Sequence, residues 1–191
     1  MRHEIDIQKS KANRRLQRKI SLIEIVPKYF LLTTWLFAFP TILGSMYFNA
    51  FKGNLTVQIL FFISILLSCF MLYSILTKDR LHLINGLTPE KNQSISEKIS
   101  ENLNWKNSKR NRNYNVFSPK WSWFSTHYGR EVTVIYESKK VLINSTTFLL
   151  FDFQSPFHWF ADRNTERKFK TEFEKEVKNN DTPTSAIANA G

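Results

Sequence analysis

Two uncharged apolar runs stand almost adjacent in this chain and decide its fold class. Residues 29–51 read YFLLTTWLFAFPTILGSMYFNAF, residues 55–76 read LTVQILFFISILLSCFMLYSIL, and three residues separate them. At about 1.5 Å per residue, each run forms a helix of roughly 30–35 Å, which matches the hydrocarbon thickness of a bilayer. The sequence therefore predicts a two-helix transmembrane hairpin over residues 29–76.

Positive charge outside the two runs sets the expected orientation of the hairpin. Residues 1–28 carry eight Lys or Arg against three acidic residues, Lys78 and Arg80 follow the second run, and the hairpin loop offers Lys52 alone. Lys and Arg are enriched on the cytoplasmic flanks of membrane spans. The first run has no cleavage pattern after it, so it is expected to stay as an anchor. We therefore expect an inner (plasma) membrane protein with both termini in the cytoplasm.

Small residues inside the runs predict how the two helices pack. Gly44 and Ser45 in the first run, and Ser64 and Ser68 in the second, would allow a close approach of the two backbones. Pro40 removes a backbone hydrogen bond and predicts a kink in the first helix. Neither run contains Asp, Glu, Lys, Arg or His. This composition argues against an ion or proton pathway carried by this chain alone.

The basic N-terminal segment, residues 1–28, allows two interpretations. Leu16, Ile20 and Ile23 follow helical spacing among basic residues, as in an amphipathic turn that lies on an anionic leaflet. The alternative is a solvated tail whose charges only set the topology. The shortness of the apolar stripe favours the solvated tail.

Residues 78–178 are expected to form one small cytoplasmic α+β domain. Thr88 and Pro89 predict the start of a helix that ends near Trp105. Apolar residues at a spacing of four predict a last helix from about residue 164 to 177. Alternating patterns predict three strands between the helices, around residues 114–117, 132–136 and 141–144.

The order of these elements is αβββα, an antiparallel meander with both helices packed on one face. An aromatic loop is expected over residues 148–160. Trp121 and Trp123 lie in a possible extension of the first strand, and their alternation predicts that both are part of the core. The polar residues 179–191 are expected to be a disordered tail.

The same elements carry a resemblance to a small α/β domain of uncharacterised bacterial membrane-associated proteins. It covers roughly 90 residues and rests on Trp105, residues 114–117, 121–123, 129–134 and 141–145, and the closing helix of residues 164–173. The resemblance brings no catalytic motif, so it implies no site residues.

The sequence contains no recognisable catalytic or metal-binding motif. Cys69 is the one cysteine and lies inside the second apolar run, and there is neither a Gly-x-Ser-x-Gly elbow nor a glycine-rich phosphate loop. No cofactor or metal is therefore predicted. The alternative function of a membrane-bound enzyme would require His127, Asp152, His158 and Asp162 to converge in the fold.

Two surfaces are candidates for binding. The first is a predicted basic loop over residues 106–112, which is a solvated turn, a contact for anionic lipid headgroups, or a groove for single-stranded nucleic acid. Its cationic residues are Lys106, Lys109, Arg110 and Arg112. Membrane tethering makes a nucleic-acid groove the least favoured of these three interpretations.

The second surface is the aromatic group Phe157, Trp159 and Phe160, which we interpret as a patch that dips into the membrane or binds a partner. The expected function is thus a non-catalytic accessory or interaction module for a protein partner or anionic lipid headgroups. A lipid-binding pleckstrin-homology-like module is an alternative, but it needs about seven strands and three are predicted.

Overall fold

The computed structural model describes residues 4–19, 29–30, 33–49, 54–120, 129–148, 154–155 and 157–181. In chain order its elements are α1 (Ile7–Asn13), a π-helical turn (Thr34–Ala38), α2 (Phe39–Asn49), α3 (Leu55–Thr77), β1 (His82–Asn85), α4 (Pro89–Asn102), β2 (Lys106–Asn111), β3 (Tyr114–Ser118), β4 (Gly129–Glu137), β5 (Lys140–Phe148) and α5 (Trp159–Asp181).

The strands form one antiparallel sheet in the order β1-β5-β4-β3-β2. The three central strands are the three predicted from alternation, and the antiparallel meander is confirmed for them. Two edge strands extend it, so the prediction of three strands was wrong by two. β1 is only four residues long, and it pairs with β5 through His82 and Ile143.

The predicted loop at residues 106–112 is largely the edge strand β2. Nearly every residue of this strand is exposed, so its sequence lacks the alternation that marks a half-buried strand. Lysine on an exposed edge is a common protection against pairing with another chain. The polar sequence was therefore mistaken for a turn.

Both long helices of the domain pack on one face of the sheet, as predicted. The core between them consists of Ile84, Ile95, Ile99, Phe117, Val132, Val134, Tyr136, Val141, Ile143, Phe169 and Phe173. α4 ends at Asn102 rather than near Trp105. α5 begins at Trp159, five residues before the predicted start, and continues to Asp181, so the predicted tail begins inside a helix.

The N-terminal segment covers the opposite face of the sheet. Leu16 is only 3% exposed and packs with Ile5 and Leu81 on side chains of β3, β4 and β5. The Leu16 amide donates to the Asp79 carbonyl at 2.7 Å, and the Leu81 amide donates to the Arg14 carbonyl at 3.0 Å. For residues 4–19, neither the leaflet-bound helix nor the solvated tail is correct.

The helices α2 and α3 pack against each other. Gly44 is buried, and a Cβ atom at this position would lie 3.2 Å from the Phe61 ring. Ser64 and Ser68 are buried as expected, whereas Ser45 is exposed. The turn before α2 is π-helical and ends two residues before Pro40, which cannot donate a backbone hydrogen bond.

In the described part of the chain, α3 is the helix that is long and apolar enough to cross a bilayer. Several predictions fall outside the described residues. They concern Ile20 and Ile23 of the N-terminal segment, the core residues Trp121 and Trp123, and the candidate catalytic residues His127 and Asp152.

Candidate functional site

A network of buried polar groups joins the first turns of α5 to the middle of β5. The Asp162 carboxylate accepts hydrogen bonds from the Thr147 hydroxyl at 2.6 Å and the Ser145 hydroxyl at 3.2 Å. Arg130 from β4 lies 3.1 Å from the same carboxylate. Burial raises the pKa of Asp162, whereas these donors lower it. The network fixes the start of α5 on the sheet.

Glu166, one turn further along α5, is the second buried carboxylate. It accepts a hydrogen bond from the Ser145 amide at 2.7 Å and another from the Arg163 guanidinium at 2.6 Å. His82 Nε2 on β1 lies 3.4 Å from Glu166 Oε2. Burial raises the pKa of Glu166 to about 7, although Arg163 and the Ser145 amide lower it.

The same groups bind the end of the apolar helix α3 to the domain. Arg163 donates to the Thr77 carbonyl, the last of α3, at 2.5 Å. The Asn144 amide on β5 donates to the carbonyls of Lys78 at 2.7 Å and Arg80 at 3.2 Å. A guanidinium and a buried amide thus donate to carbonyls at the helix end and in the following turn, and the Thr77 carbonyl also accepts from the Arg80 amide at 3.1 Å. The direction in which α3 leaves the domain is fixed by these bonds.

A cavity of about 360 Å³ opens at this junction, and we call it the basal cavity. It lies between the end of α3, β1 and α5. Its lining consists of Tyr73, Thr77, Arg80, His82, Ile143, Trp159, Arg163, Glu166, Arg167 and Lys170. Four of these side chains are cationic and one is a carboxylate, so the lining carries an excess of three positive charges.

The cations differ in how far they are neutralised. Arg163 is buried and held by Glu166, whereas Lys170 lies 3.7 Å from a half-exposed Glu174. Among the described residues, Arg80 and Arg167 form no ion pair. Cations crowded in this way repel one another unless an anion lies between them.

The positive potential of the cavity also acts on His82. Burial first, and then the charges of Arg163, Arg80, Lys170 and Arg167, lower the pKa of this histidine to about 4. The imidazole is therefore neutral at pH 7. Its uncharged ring leaves the four cations as the source of the positive field.

An aromatic cluster lies beside the basal cavity on the side of α3. Trp159 contacts Tyr73 and Phe70 edge to face, with ring centroids 5.5 and 6.2 Å apart, and Phe160 stacks on Phe70 at 5.6 Å. Phe160 is 62% exposed and Phe157 is 54% exposed. The three predicted aromatic residues thus lie at the start of α5 and in the turn before it, rather than in a loop.

The two predicted binding surfaces do not meet. The basic residues of β2 lie at the edge of the sheet opposite β1, four strand spacings or roughly 19 Å away. On this strand Arg110 pairs with Glu97 at 2.9 Å, and Lys109 lies over the Tyr114 ring at 5.3 Å. The aromatic group lies instead beside the basal cavity.

The candidate catalytic residues that are described are occupied by structural contacts. His158 Nδ1 lies 2.6 Å from the Ser155 hydroxyl, and Asp162 is bound to β4 and β5. The described residues contain no group of three or more His, Cys, Asp or Glu that could hold a metal ion.

Sequence reasoning missed the cationic side chains of the basal cavity. Arg163, Arg167 and Lys170 recur at spacings of four and three, so they share one face of α5. This pattern was available, but only the apolar stripe that contains Phe169 and Phe173 was followed. Arg80 was counted only as a topology signal.

Comparisons with known proteins add no assignment to this geometry. No protein-family model, no curated protein and no solved structure matches the chain. The resemblance to a small α/β domain of bacterial membrane-associated proteins therefore stays a prediction.

Proposed function

We propose that this protein is a non-catalytic membrane-anchored interaction module whose domain recognises anionic lipid headgroups. One observation carries the proposal, namely the cationic basal cavity at the end of the apolar helix α3. If α3 crosses the inner membrane, its last residue Thr77 lies at the cytoplasmic interface, and the cavity opens where lipid phosphates stand.

The surface of α3 supports a membrane environment. Only 22% of its most apolar stretch is buried, and the exposed residues include Leu55, Phe62 and Leu66. A helix in the core of a soluble domain would bury most of these side chains.

The aromatic cluster also supports a position of the domain at the membrane interface. Phe70 precedes Thr77 by seven residues, so Trp159 and Phe160 reach about 10 Å along α3 from its end. Trp159 also contacts Tyr73, which precedes Thr77 by four residues or about 6 Å and so lies nearer the interface, where tryptophan and tyrosine are enriched. Exposed Phe157 and Phe160 would then contact lipid directly.

If α3 spans the membrane, the position of the N-terminal segment supports a second span. Residues 4–19 pack on the same sheet that follows α3, so both ends of the apolar region return to one side. A chain that starts and ends on one side must cross the membrane an even number of times. Residues 29–51 are the remaining apolar run, and Lys and Arg flanking the two runs favour a cytoplasmic domain.

Other partners have less support. A protein partner would use the basal cavity only if it carried an acidic group at membrane level. A nucleic-acid groove along β2 would need exposed aromatic rings for base stacking, whereas Tyr114 is buried and Trp105 stacks on Phe169. The pleckstrin-homology-like alternative needs about seven strands, and the described residues form five.

Lipid preference of the full-length protein tests the proposal. The protein is purified in a neutral detergent and offered equal amounts of phosphatidylglycerol and phosphatidylcholine, and bound lipids are counted by native mass spectrometry. We expect the anionic lipid to dominate and the preference to shrink with salt, because screening weakens exposed charge attraction. Equal retention of both lipids at low salt would overturn the proposal.

Orientation has a separate test in cells. Cysteine is introduced as Asn54→Cys or Lys91→Cys in a Cys69→Ser background and labelled with a membrane-impermeant maleimide. We expect label at position 54 in intact cells and at position 91 only after lysis. Label at position 91 in intact cells would refute the cytoplasmic domain.

A further inference from the structure

We infer that the basal cavity binds a phosphate monoester, a group with close to two negative charges and three free oxygens. This inference rests on the proposed function and narrows it, since it names the headgroup class. A lipid with a terminal phosphate and a soluble phosphate ester share this chemistry.

The charge of the lining favours a dianion over a monoanion. The cationic side chains exceed the single carboxylate by three charges, and Glu166 is already bound to Arg163. A phosphodiester such as phosphatidylglycerol brings one negative charge. A monoester brings about 1.5 to 2 at neutral pH, and neighbouring cations favour its second ionisation.

The rim of the cavity offers three cations, as many as a monoester has free oxygens. Arg80 reaches the cavity from the connection before β1, whereas Arg167 and Lys170 reach it from α5. All three are exposed residues at the rim, so they can reorient towards a ligand without disturbing the core. A diester would leave one of them without a free oxygen to bind.

The floor and the wall of the cavity differ in character. Arg163 and Glu166 are 8% and 3% exposed and form a fixed polar floor with His82. Trp159 and Tyr73 form an aromatic wall on the side of α3. A phosphate at the rim would therefore place an attached glycerol against the aromatic rings, in the direction of the bilayer.

Binding of short-chain lipids to the full-length protein in neutral detergent measures the preference. The probes are dioctanoyl phosphatidic acid, dioctanoyl phosphatidylglycerol and dioctanoyl phosphatidylcholine. We expect phosphatidic acid to bind about tenfold or more tightly than phosphatidylglycerol, since one more charge-assisted contact contributes roughly 1.5–3 kcal/mol. Equal affinity for the two anionic lipids, both above phosphatidylcholine, would overturn the monoester inference and leave the proposed function standing. No preference over phosphatidylcholine would overturn both.

Variants at the rim test the residues. Arg167→Gln with Lys170→Gln should weaken binding of phosphatidic acid by about tenfold or more and remove the preference for it. Lys168→Gln with Lys175→Gln is the matched control, because it also removes two charges from the same helix at exposed positions that do not line the cavity. An equal loss in the control, or no loss in the double variant, would refute the site.

Two further readouts distinguish a lipid from a soluble phosphate ester and locate the bound phosphate in the protein. Glycerol 3-phosphate that displaces phosphatidic acid at comparable concentration would assign the same site to a soluble ester, whereas failure to displace it supports a lipid. Nuclear magnetic resonance of His82 should show its pKa rise on binding, because a dianion offsets the field of Arg163, Arg80, Lys170 and Arg167. An unchanged His82 pKa in the saturated protein would place the phosphate elsewhere.

Discussion

Replacement of Leu16 by alanine tests whether the N-terminal segment is part of the folded domain. Leu16 is 3% exposed and packs on the sheet face opposite the two long helices. Leu→Ala removes three carbon atoms, which contribute roughly 2.4 kcal/mol of transfer free energy, and the remaining cavity adds to this loss. We expect docking of the segment to weaken by about 3 kcal/mol, which corresponds to a roughly 100-fold rise in its undocked fraction.

Limited trypsin digestion of the full-length protein in detergent measures this fraction. Cleavage after Arg14 or Arg15 requires undocking, because the backbone here is bound to the domain. Arg15 and Arg80 form an isolated antiparallel β-bridge, and the Arg14 carbonyl accepts a hydrogen bond from the Leu81 amide. When opening is fast compared with cleavage, the cleavage rate follows the undocked population.

The matched control is Leu83→Ala. Leu83 lies on β1 and is 36% exposed, so its truncation should leave the rate of cleavage after Arg14 almost unchanged. A rise of less than about tenfold for Leu16→Ala would contradict the packing described here, because even the smallest buried Leu→Ala losses are near 2 kcal/mol. It would also remove the main support for an even number of membrane crossings.

Three further predictions concern stability in detergent, followed by tryptophan fluorescence during thermal unfolding. Phe169→Ala should lower the free energy of unfolding by about 4 kcal/mol, since Phe169 is fully buried and stacks on Trp105 and Phe173; a loss below about 1 kcal/mol would contradict the assigned core. In His82→Gln the midpoint temperature of unfolding should fall as pH rises from 4.5 towards 7. The folded chain keeps a proton on Glu166 that the unfolded chain releases near pH 4.5, so up to about 3 kcal/mol of stability that is present at low pH is lost. In Glu166→Gln the midpoint should change in the opposite sense relative to His82→Gln, since the lowered pKa of His82 makes its contribution present above pH 6.5 and lost as pH falls towards 4, while Asp162 contributes equally to both variants; equal slopes in the two variants would refute the two opposed shifts.

The parts of the fold that follow periodicity were predictable. β4 and β5 alternate residues such as Val132 and Val134 over a buried face, and Phe169 and Phe173 mark the apolar stripe of α5. In these elements the local pattern and the tertiary environment agree. The antiparallel order and the helices on one face follow from them.

The parts that were missed depend on contacts distant in sequence. β1 is only four residues long and begins five residues after the end of the apolar helix α3. It is a strand because it pairs with β5. β2 is an exposed edge strand without alternation. α1 has seven residues and is held by the sheet, and no local signal shows that Leu16 is buried. Short elements of this kind are stabilised by packing rather than by propensity.

The basal cavity combines cationic and aromatic residues, the types that were expected at a binding surface, but at another place in the fold. A basic and aromatic surface for acidic headgroups was expected, and the aromatic residues Trp159 and Phe160 border the basal cavity. The expected cations on β2 lie at the other edge of the sheet. Arg80 and Lys170 come together because α5 crosses the sheet next to β1, which no spacing within one segment could reveal.

The docking of the N-terminal segment has a consequence for the order of events during synthesis. Lys11 donates to the Tyr136 carbonyl at 3.0 Å, and 125 residues separate the two positions. At a translation rate of roughly 5–20 residues per second, the partner strand leaves the ribosome about 6–25 s after the segment does. During this interval the basic residues of the segment have no sheet to bind, whereas both apolar runs have already been synthesised. If the apolar runs insert as proposed, the segment would be free to act as an orientation signal before it covers the sheet.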